Sequence, residues 1–138
     1  MNKNTDYKEL LVLADSARAK SHCPYSGVSV GAALLTKGGK VYTGANIEKA
    51  AYGPTVCAER VAIFTAVHAG EREFAAIAIA GGRAGEAARD AFVPCGVCRQ
   101  VMAEFASDDL VIVTGAGDSY EAHSLGEMLP YSFTKEKL

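Results

Sequence analysis

The sequence predicts an α/β domain of three layers, α-β-α, with a mixed five-stranded sheet between the helices. Three observations lead there. The elements read in the order α-β-β-α-β-α-β-β-α. The middle of that order is a βαβαβ run, which right-handed crossovers turn into parallel strands with a hairpin added. Phe74–Ala80 and Leu110–Thr114 are short continuous apolar runs, the pattern of strands buried on both faces.

Each element has its own signal. Tyr7, Leu10, Leu11, Ala14 and Ala17 recur at helical spacing, and Asp6 with Glu9 resembles a capping box, so a helix is predicted over Asp6–Lys20. Cys23-Pro24-Tyr25-Ser26-Gly27 breaks it. Val28, Val30, Ala32 and Leu34 alternate as one face of a strand, Lys37-Gly38-Gly39-Lys40 turns the chain, and Val41–Asn46 returns. After a loop, Thr55 is the expected N-cap of a helix carrying Val61, Ile63, Phe64 and Val67 and closed by Gly70. The Gly- and Ala-rich segment Gly81–Val93 is expected to be a mobile loop, and Pro94 to open a third helix running to Ala106. Gly115–Asp118 turns into an edge strand at Tyr120–His123, and Ser124 with Glu127 caps a short last helix.

The chain has 138 residues, the size of one domain, and about half of them (49%) are apolar, enough for a core. Fourteen Lys and Arg against sixteen Asp and Glu give a formal charge of -2, without a basic tract. That balance is not the electrostatic footprint of a nucleic-acid binder, so a small nucleoside or base suits the surface better. The polar N-terminus lacks the apolar run of a signal peptide, and no segment reaches membrane-spanning length. The expected compartment is the cytoplasm, where thiols stay reduced and cysteines read as ligands or catalytic groups.

The chemistry concentrates in Cys57-Ala58-Glu59 and Pro94-Cys95-Gly96-Val97-Cys98. Both clusters fall at helix starts, where unpaired N–H groups and the helix dipole favour thiolate. Cys95 and Cys98 share a helix face. Cys57 and Glu59, two apart, converge only if Cys57 lies at the helix mouth. Three protein ligands leave a fourth tetrahedral position open, the mark of a catalytic zinc. Three thiolates make that zinc site net negative, and Arg60 and Arg99 each follow a key residue directly. At least one of them is expected to hydrogen-bond a ligand sulfur and tune the site's charge.

Competing readings are weaker. A lone CxxC could be a redox pair, but such a pair gives Cys57 and Glu59 no role. Cys23 could close a four-cysteine structural site, yet it lacks a spacing partner and reads better as a small buried residue. Glu59 alone would pass for a solvated helical glutamate. His22, His68 and His123 show no ligand spacing.

At Cys57-Ala58-Glu59-Arg60 and Pro94-Cys95-Gly96-Val97-Cys98-Arg99-Gln100 the chain resembles the small, three-cysteine, homotetrameric cytidine deaminases. The likeness extends over nearly the whole chain, 1–138. Tyr25-Ser26 and Val30–Leu34 match that family's first strand, Asn46-Ile47-Glu48 through Tyr52-Gly53 its nucleoside loop, and Leu129-Pro130 with Phe133 its C-terminal segment. The resemblance implies a deaminase-like fold and one Zn2+ per chain on Cys57, Cys95 and Cys98. It also implies hydrolysis of cytidine and 2'-deoxycytidine to uridine and 2'-deoxyuridine with release of ammonia, as in pyrimidine salvage. Glu59 would move protons to ring N3 and to the departing amine. Asn46 and Glu48 would bind the ribose 3'-hydroxyl, and the backbone at Ala58 and Cys95 the base. Ala50, Tyr52 and Phe133 would complete a neighbouring subunit's pocket.

The chain departs from that family at Val28, where an aromatic residue usually stands near the pyrimidine. Valine gives up stacking worth roughly 0.5–1.5 kcal/mol. Weaker cytidine binding, a roomier pocket or an aromatic group from elsewhere would each fit. Two alternatives therefore accompany the main reading. One is a deaminase of a modified cytosine nucleoside such as blasticidin S. The other is a non-catalytic, zinc-stabilised assembly protein.

Overall fold

The structure is a computed structural model that describes residues 6–89 and 91–138. Residues 1–5 of the polar N-terminus and Asp90 of the Gly81–Val93 loop lie outside the described residues. Helix α1 spans Tyr7–Ala17 and continues as a 3-10 turn over Arg18–Lys20. Asp6 caps it by accepting the Lys8 amide at 2.9 Å, in place of the expected capping box with Glu9. Leu10, Leu11, Ala14 and Ala17, the residues at helical spacing, form its buried stripe.

The strands are β1 (Val28–Thr36), β2 (Val41–Ala45), β3 (Phe74–Arg83), β4 (Val111–Ala116) and β5 (Ser119–Ser124). They form one mixed sheet in the order β2-β1-β3-β4-β5. The parallel run expected from the element order holds in direction: β2, β3 and β4 point the same way, and the hairpin strand β1 is inserted between the first two. β1 lies antiparallel between β2 and β3, and β3–β4 is the parallel pair of the sheet. The physical reason is burial. Every residue of β1 after Val28 is buried, so this strand belongs in the sheet interior, whereas the more polar Val41-Tyr42-Thr43 tolerates the edge. β3 also runs three residues beyond Ala80, through Gly81, Gly82 and Arg83, which pair with Val30, Ser29 and Val28.

Three helices remain: α2 (Ala58–His68), α3 (Gly96–Phe105) and α4 (Leu125–Met128). The continuous apolar run of β3 is sorted by its pleat. Ala76, Ala78 and Ala80 face α1 with Ala33 and Val113, and these small residues let that helix sit close. Ile77 and Ile79 face α2 and α3 with Leu34, Ile112 and Met102. Burying each such isoleucine contributes roughly 1.5–3 kcal/mol, so the heavier core lies on the α2–α3 side. The three-layer arrangement is thus as the sequence predicts. α4 carries the expected Ser124–Glu127 capping box.

Helix α2 lies almost on the backbone of β2. A Cβ at Gly44 would stand 2.5 Å from the Ala62 amide nitrogen and 2.6 Å from the Ala58 carbonyl oxygen. Only glycine permits that approach, and it fixes where the first turn of α2 lies. Among the described residues no helix is long and apolar enough to cross a membrane.

Candidate active site

The first turns of α2 and α3 open on the same side of the sheet. Cys57 is itself the N-cap of α2, extended at φ -76 and ψ 156. Thr55, the expected cap, instead accepts the Lys49 amide at 3.2 Å and closes the preceding loop. Because Cys57 stands outside the helix, it and Glu59 can converge although they are only two apart. Cys95 likewise caps α3 and accepts the Cys98 amide at 3.4 Å. Pro94 therefore precedes the cap rather than occupying the first turn.

The sulfurs of Cys57, Cys95 and Cys98 all lie within 4.8 Å of one another, with 3.4 Å between Cys95 and Cys98. A tetrahedral zinc with Zn–S bonds of about 2.3 Å needs ligand sulfurs about 3.8 Å apart. The set fits that requirement with small side-chain adjustments. Cys23 is outside the cluster and sits 3.5 Å from the Ser21 hydroxyl. Cys98 is completely buried, Cys57 is half-buried and Cys95 faces solvent, so the cluster has one open side.

The electrostatics suit a cation. Hydrogen bonding with Cys98 pulls the Cys57 thiol down to about 5, against its own burial and with help from Arg60. Cys98, on the other side of that bond, is raised by the hydrogen bond with Cys57 and by its own burial. Arg60 Nη2 donates to Cys57 Sγ at 3.4 Å, which meets the expectation for one of the two arginines. Arg60 Nε is buried with no partner among the described residues. Arg99 does something else. Its Nε donates to the Pro94 carbonyl at 2.9 Å and its Nη1 to the Met128 carbonyl at 2.8 Å, which pins the start of α3 to the C-terminal segment.

Glu59 is 4% exposed. Burial pushes its carboxyl up to about 7, and the neighbouring Cys57 charge adds to the effect. A carboxyl poised near neutrality can both take and give a proton.

Above this floor lies a cleft of about 240 Å³. Val28, Asn46, Glu48, Ala58 and Cys95 line it together with Cys57 and Glu59, so seven of the residues singled out from sequence meet there. Asn46 is partly engaged already. Its Oδ1 accepts the Val30 amide and its Nδ2 donates to the Val28 carbonyl, both at 2.9 Å. One N–H and one lone pair remain for a ligand. The Glu48 carboxylate accepts the amides of Tyr25 and Ser26 at 3.1 and 3.0 Å, and these bonds with the Ser26 hydroxyl hold its pKa below the ordinary 4.5.

Ala50, Tyr52 and Phe133 do not line this cleft. Tyr52 is 76% and Phe133 60% exposed, and Tyr52 stands edge-on to Tyr25 with ring centroids 6.2 Å apart. Sequence reasoning missed Phe92 and Val93 in the cleft wall. The available signal was a single aromatic in a Gly- and Ala-rich loop, three residues before Cys95. A larger groove of about 470 Å³ near the C-terminus, lined by Glu104, Ser107 and Lys135, contains none of these groups.

Residues 4–114 match the family described as the cytidine and deoxycytidylate deaminase zinc-binding region. The chain belongs to this family. It is 41% identical over 134 residues to a cytidine deaminase of Sporosarcina psychrophila, covering 96% of this chain and 95% of that one. It is 44% identical over 135 residues to a cytidine deaminase of Halalkalibacterium halodurans, covering 96% and 98%. The fold superposes on the crystal structure of cytidine deaminase from Burkholderia pseudomallei with a TM-score of 0.85 and 43% identity, over 94% of this chain and all (100%) of that one. Membership of a zinc-binding deaminase family agrees with the three-sulfur cluster and with a carboxylate buried beside it.

Proposed function

We propose that the protein hydrolyses cytidine and 2'-deoxycytidine to uridine and 2'-deoxyuridine, releasing ammonia. The observation that carries this reading is the buried Glu59 carboxyl beside the three sulfurs at the floor of a nucleoside-sized cleft. A structural metal site has no use for such a group.

Cys57, Cys95 and Cys98 would hold one Zn2+ per chain, which when bound supplies Lewis-acid activation of water near neutral pH. Glu59 takes a proton from the attacking water and delivers it to ring N3, which makes C4 electrophilic. It then carries the second proton to the 4-amino group, so the C4–N bond breaks with ammonia as the neutral leaving group. Water supplies the oxygen of the product and both of the protons that move. Arg60 offsets the negative charge of the three thiolates. The start of α2 at Ala58 and the N-cap at Cys95 border the base, with Val28 across from them. Glu48 and the free N–H of Asn46 face the ribose 3'-hydroxyl.

The reading extends to assembly. Exposed Ala50, Tyr52 and Phe133 suit a homotetramer in which each chain completes a neighbour's pocket, so an isolated chain is nearly inactive. It extends also to one deaminase domain over 1–138, acting in the cytoplasm in pyrimidine salvage, with no nucleic acid or membrane as partner.

The test is ultraviolet absorbance of cytidine with purified, zinc-loaded protein, with uridine identified as product. Conversion that stops when a chelator strips the zinc supports the reading. An inert, zinc-loaded, assembled protein overturns it. The short Val28 side chain favours a second reading, a modified cytosine nucleoside such as blasticidin S, and turnover of the two substrates side by side separates them.

A further inference from the structure

The cleft above Glu59 receives a flat heterocycle, yet its β1 wall offers only Val28 and Val30. One aromatic ring lines the cleft: Phe92, in the segment that leads into the N-cap of α3. Its position is held by three features. Ala91 adopts φ 48, the left-handed region that a non-glycine residue enters only at a cost, and this turns the chain just before the ring. The Arg89 amide donates to the Gly81 carbonyl at 2.8 Å and ties the segment to β3. The ring itself lies on Gly81, since a Cβ there would meet Phe92 Cγ, Cδ1 and Cδ2 at 2.6–2.7 Å. Gly81 pairs with Val30 in the sheet, so the ring covers the end of the sheet beside Val30 and packs on the same core as Val28.

We infer that Phe92 is the aromatic wall against which the pyrimidine packs, and that Gly81 is the residue that positions it. This rests on the deaminase reading of the site. The stacking surface is then delivered by the loop before α3 rather than by position 28 of β1. An apolar face beside a planar base stabilises binding without touching the proton transfers, so it acts on affinity for the ring rather than on kcat. Gly81 has no contact with the base. Any side chain there must displace the ring.

The test uses the zinc-loaded full chain and two readouts: KM and kcat for cytidine, and equilibrium binding of uridine, the product. Phe92→Leu keeps an apolar side chain over Gly81 but removes the π face. It is expected to weaken uridine binding and raise KM by about 2- to 13-fold, with zinc content and kcat near wild type. Phe92→Ala is expected to do at least as much. Gly81→Ala should reproduce the loss, because it moves the same ring. Placed in the Phe92→Ala background it should add nothing, since the atoms its Cβ would meet are gone. Wild-type uridine binding and KM in both Phe92 variants overturn the inference. So does a loss that tracks zinc content, or a Gly81→Ala effect that persists in full without Phe92. If wild-type protein is inert on cytidine and does not bind uridine, the deaminase reading fails and this inference fails with it. If wild type is active and only the Phe92 variants behave as wild type, the inference alone fails.

Discussion

Arg60 Nη2 donates to the Cys57 sulfur at 3.4 Å, while Arg99, also one residue after a key position, reaches two backbone carbonyls instead. Two arginines that look equivalent in sequence therefore act on different parts of the site. One sits against the Cys57 sulfur, and the other clamps the start of the helix that carries Cys95 and Cys98.

The variant Arg60→Gln is expected to lower zinc affinity by about 10- to 100-fold, the usual cost of losing a group that hydrogen-bonds a metal ligand. Competition with a chromogenic chelator measures it. Arg99→Gln is expected to leave zinc affinity closer to wild type and to lower unfolding stability, by about 1–3 kcal/mol, through the Pro94 and Met128 carbonyls it leaves without a donor. Equal zinc affinity in Arg60→Gln and wild type would remove the assigned role.

Glu59→Gln keeps the size and burial of the side chain and removes the carboxyl proposed to move protons. Turnover of cytidine should fall by at least about 10²- to 10⁴-fold, the range of general acid–base catalysis. Zinc content and melting temperature should hold, because the three sulfurs are untouched. A fully active Glu59→Gln enzyme would falsify the proton-transfer assignment.

The site was more legible in the sequence than the sheet was. Cys57-Ala58-Glu59 and Pro94–Cys98 carry their chemistry in residue type and local spacing, and a helix start is a local event. Strand pairing is not. Nothing in Val28–Leu34 says which neighbour it takes, and only the burial of both its faces places it between β2 and β3. Gly81 and Gly82 read as loop because glycine is poor in strands, yet each is there because something lies against it: the Phe92 ring and the Ala87 carbonyl. Phe92 was hidden for the same reason, since its contact spans a loop and a strand. The caps lie one or two residues later than the sequence predicts because two cysteines, which are not preferred caps, take the role expected of Thr55 and Pro94.

Gly44→Ala should injure the site from outside it. The new Cβ would lie 2.5–2.6 Å from backbone atoms of Ala62 and Ala58, so α2 must retreat and take Glu59 with it. Overpacking of this kind costs about 1–3 kcal/mol. A shift near 1 Å of a catalytic group can cost about 10²-fold in rate. Gly31→Ala offers the control. Its Cβ meets the Ala14 carbonyl of α1, on the opposite face of the sheet and away from the cleft. Both variants should unfold at lower urea, but only Gly44→Ala should lose kcat in the folded fraction. Equal kcat losses would mean that α2 is not positioned by this contact.

Glu48 ties the Tyr25–Ser26 turn to the loop that follows β2, and its charge state sets the pH range of that tie. Its pKa lies below the ordinary 4.5, chiefly through the Ser26 hydroxyl and then the Ser26 amide. A carboxylate with a depressed folded-state pKa contributes order above its ordinary value and loses it as pH falls through the lower, folded value. The turn should therefore stay closed across neutral pH and open only well below 4.5. Hydrogen exchange at the Tyr25 and Ser26 amides, corrected for the intrinsic pH dependence of exchange, reads this directly. Protection should be flat from about pH 5 to 8 and fall in acid. Glu48→Ala should abolish it at every pH, because both amides lose their acceptor, and KM for cytidine should rise with it. Protection that survives in Glu48→Ala would show that the turn is held by other contacts, and the carboxylate would then be free to act on the ribose alone.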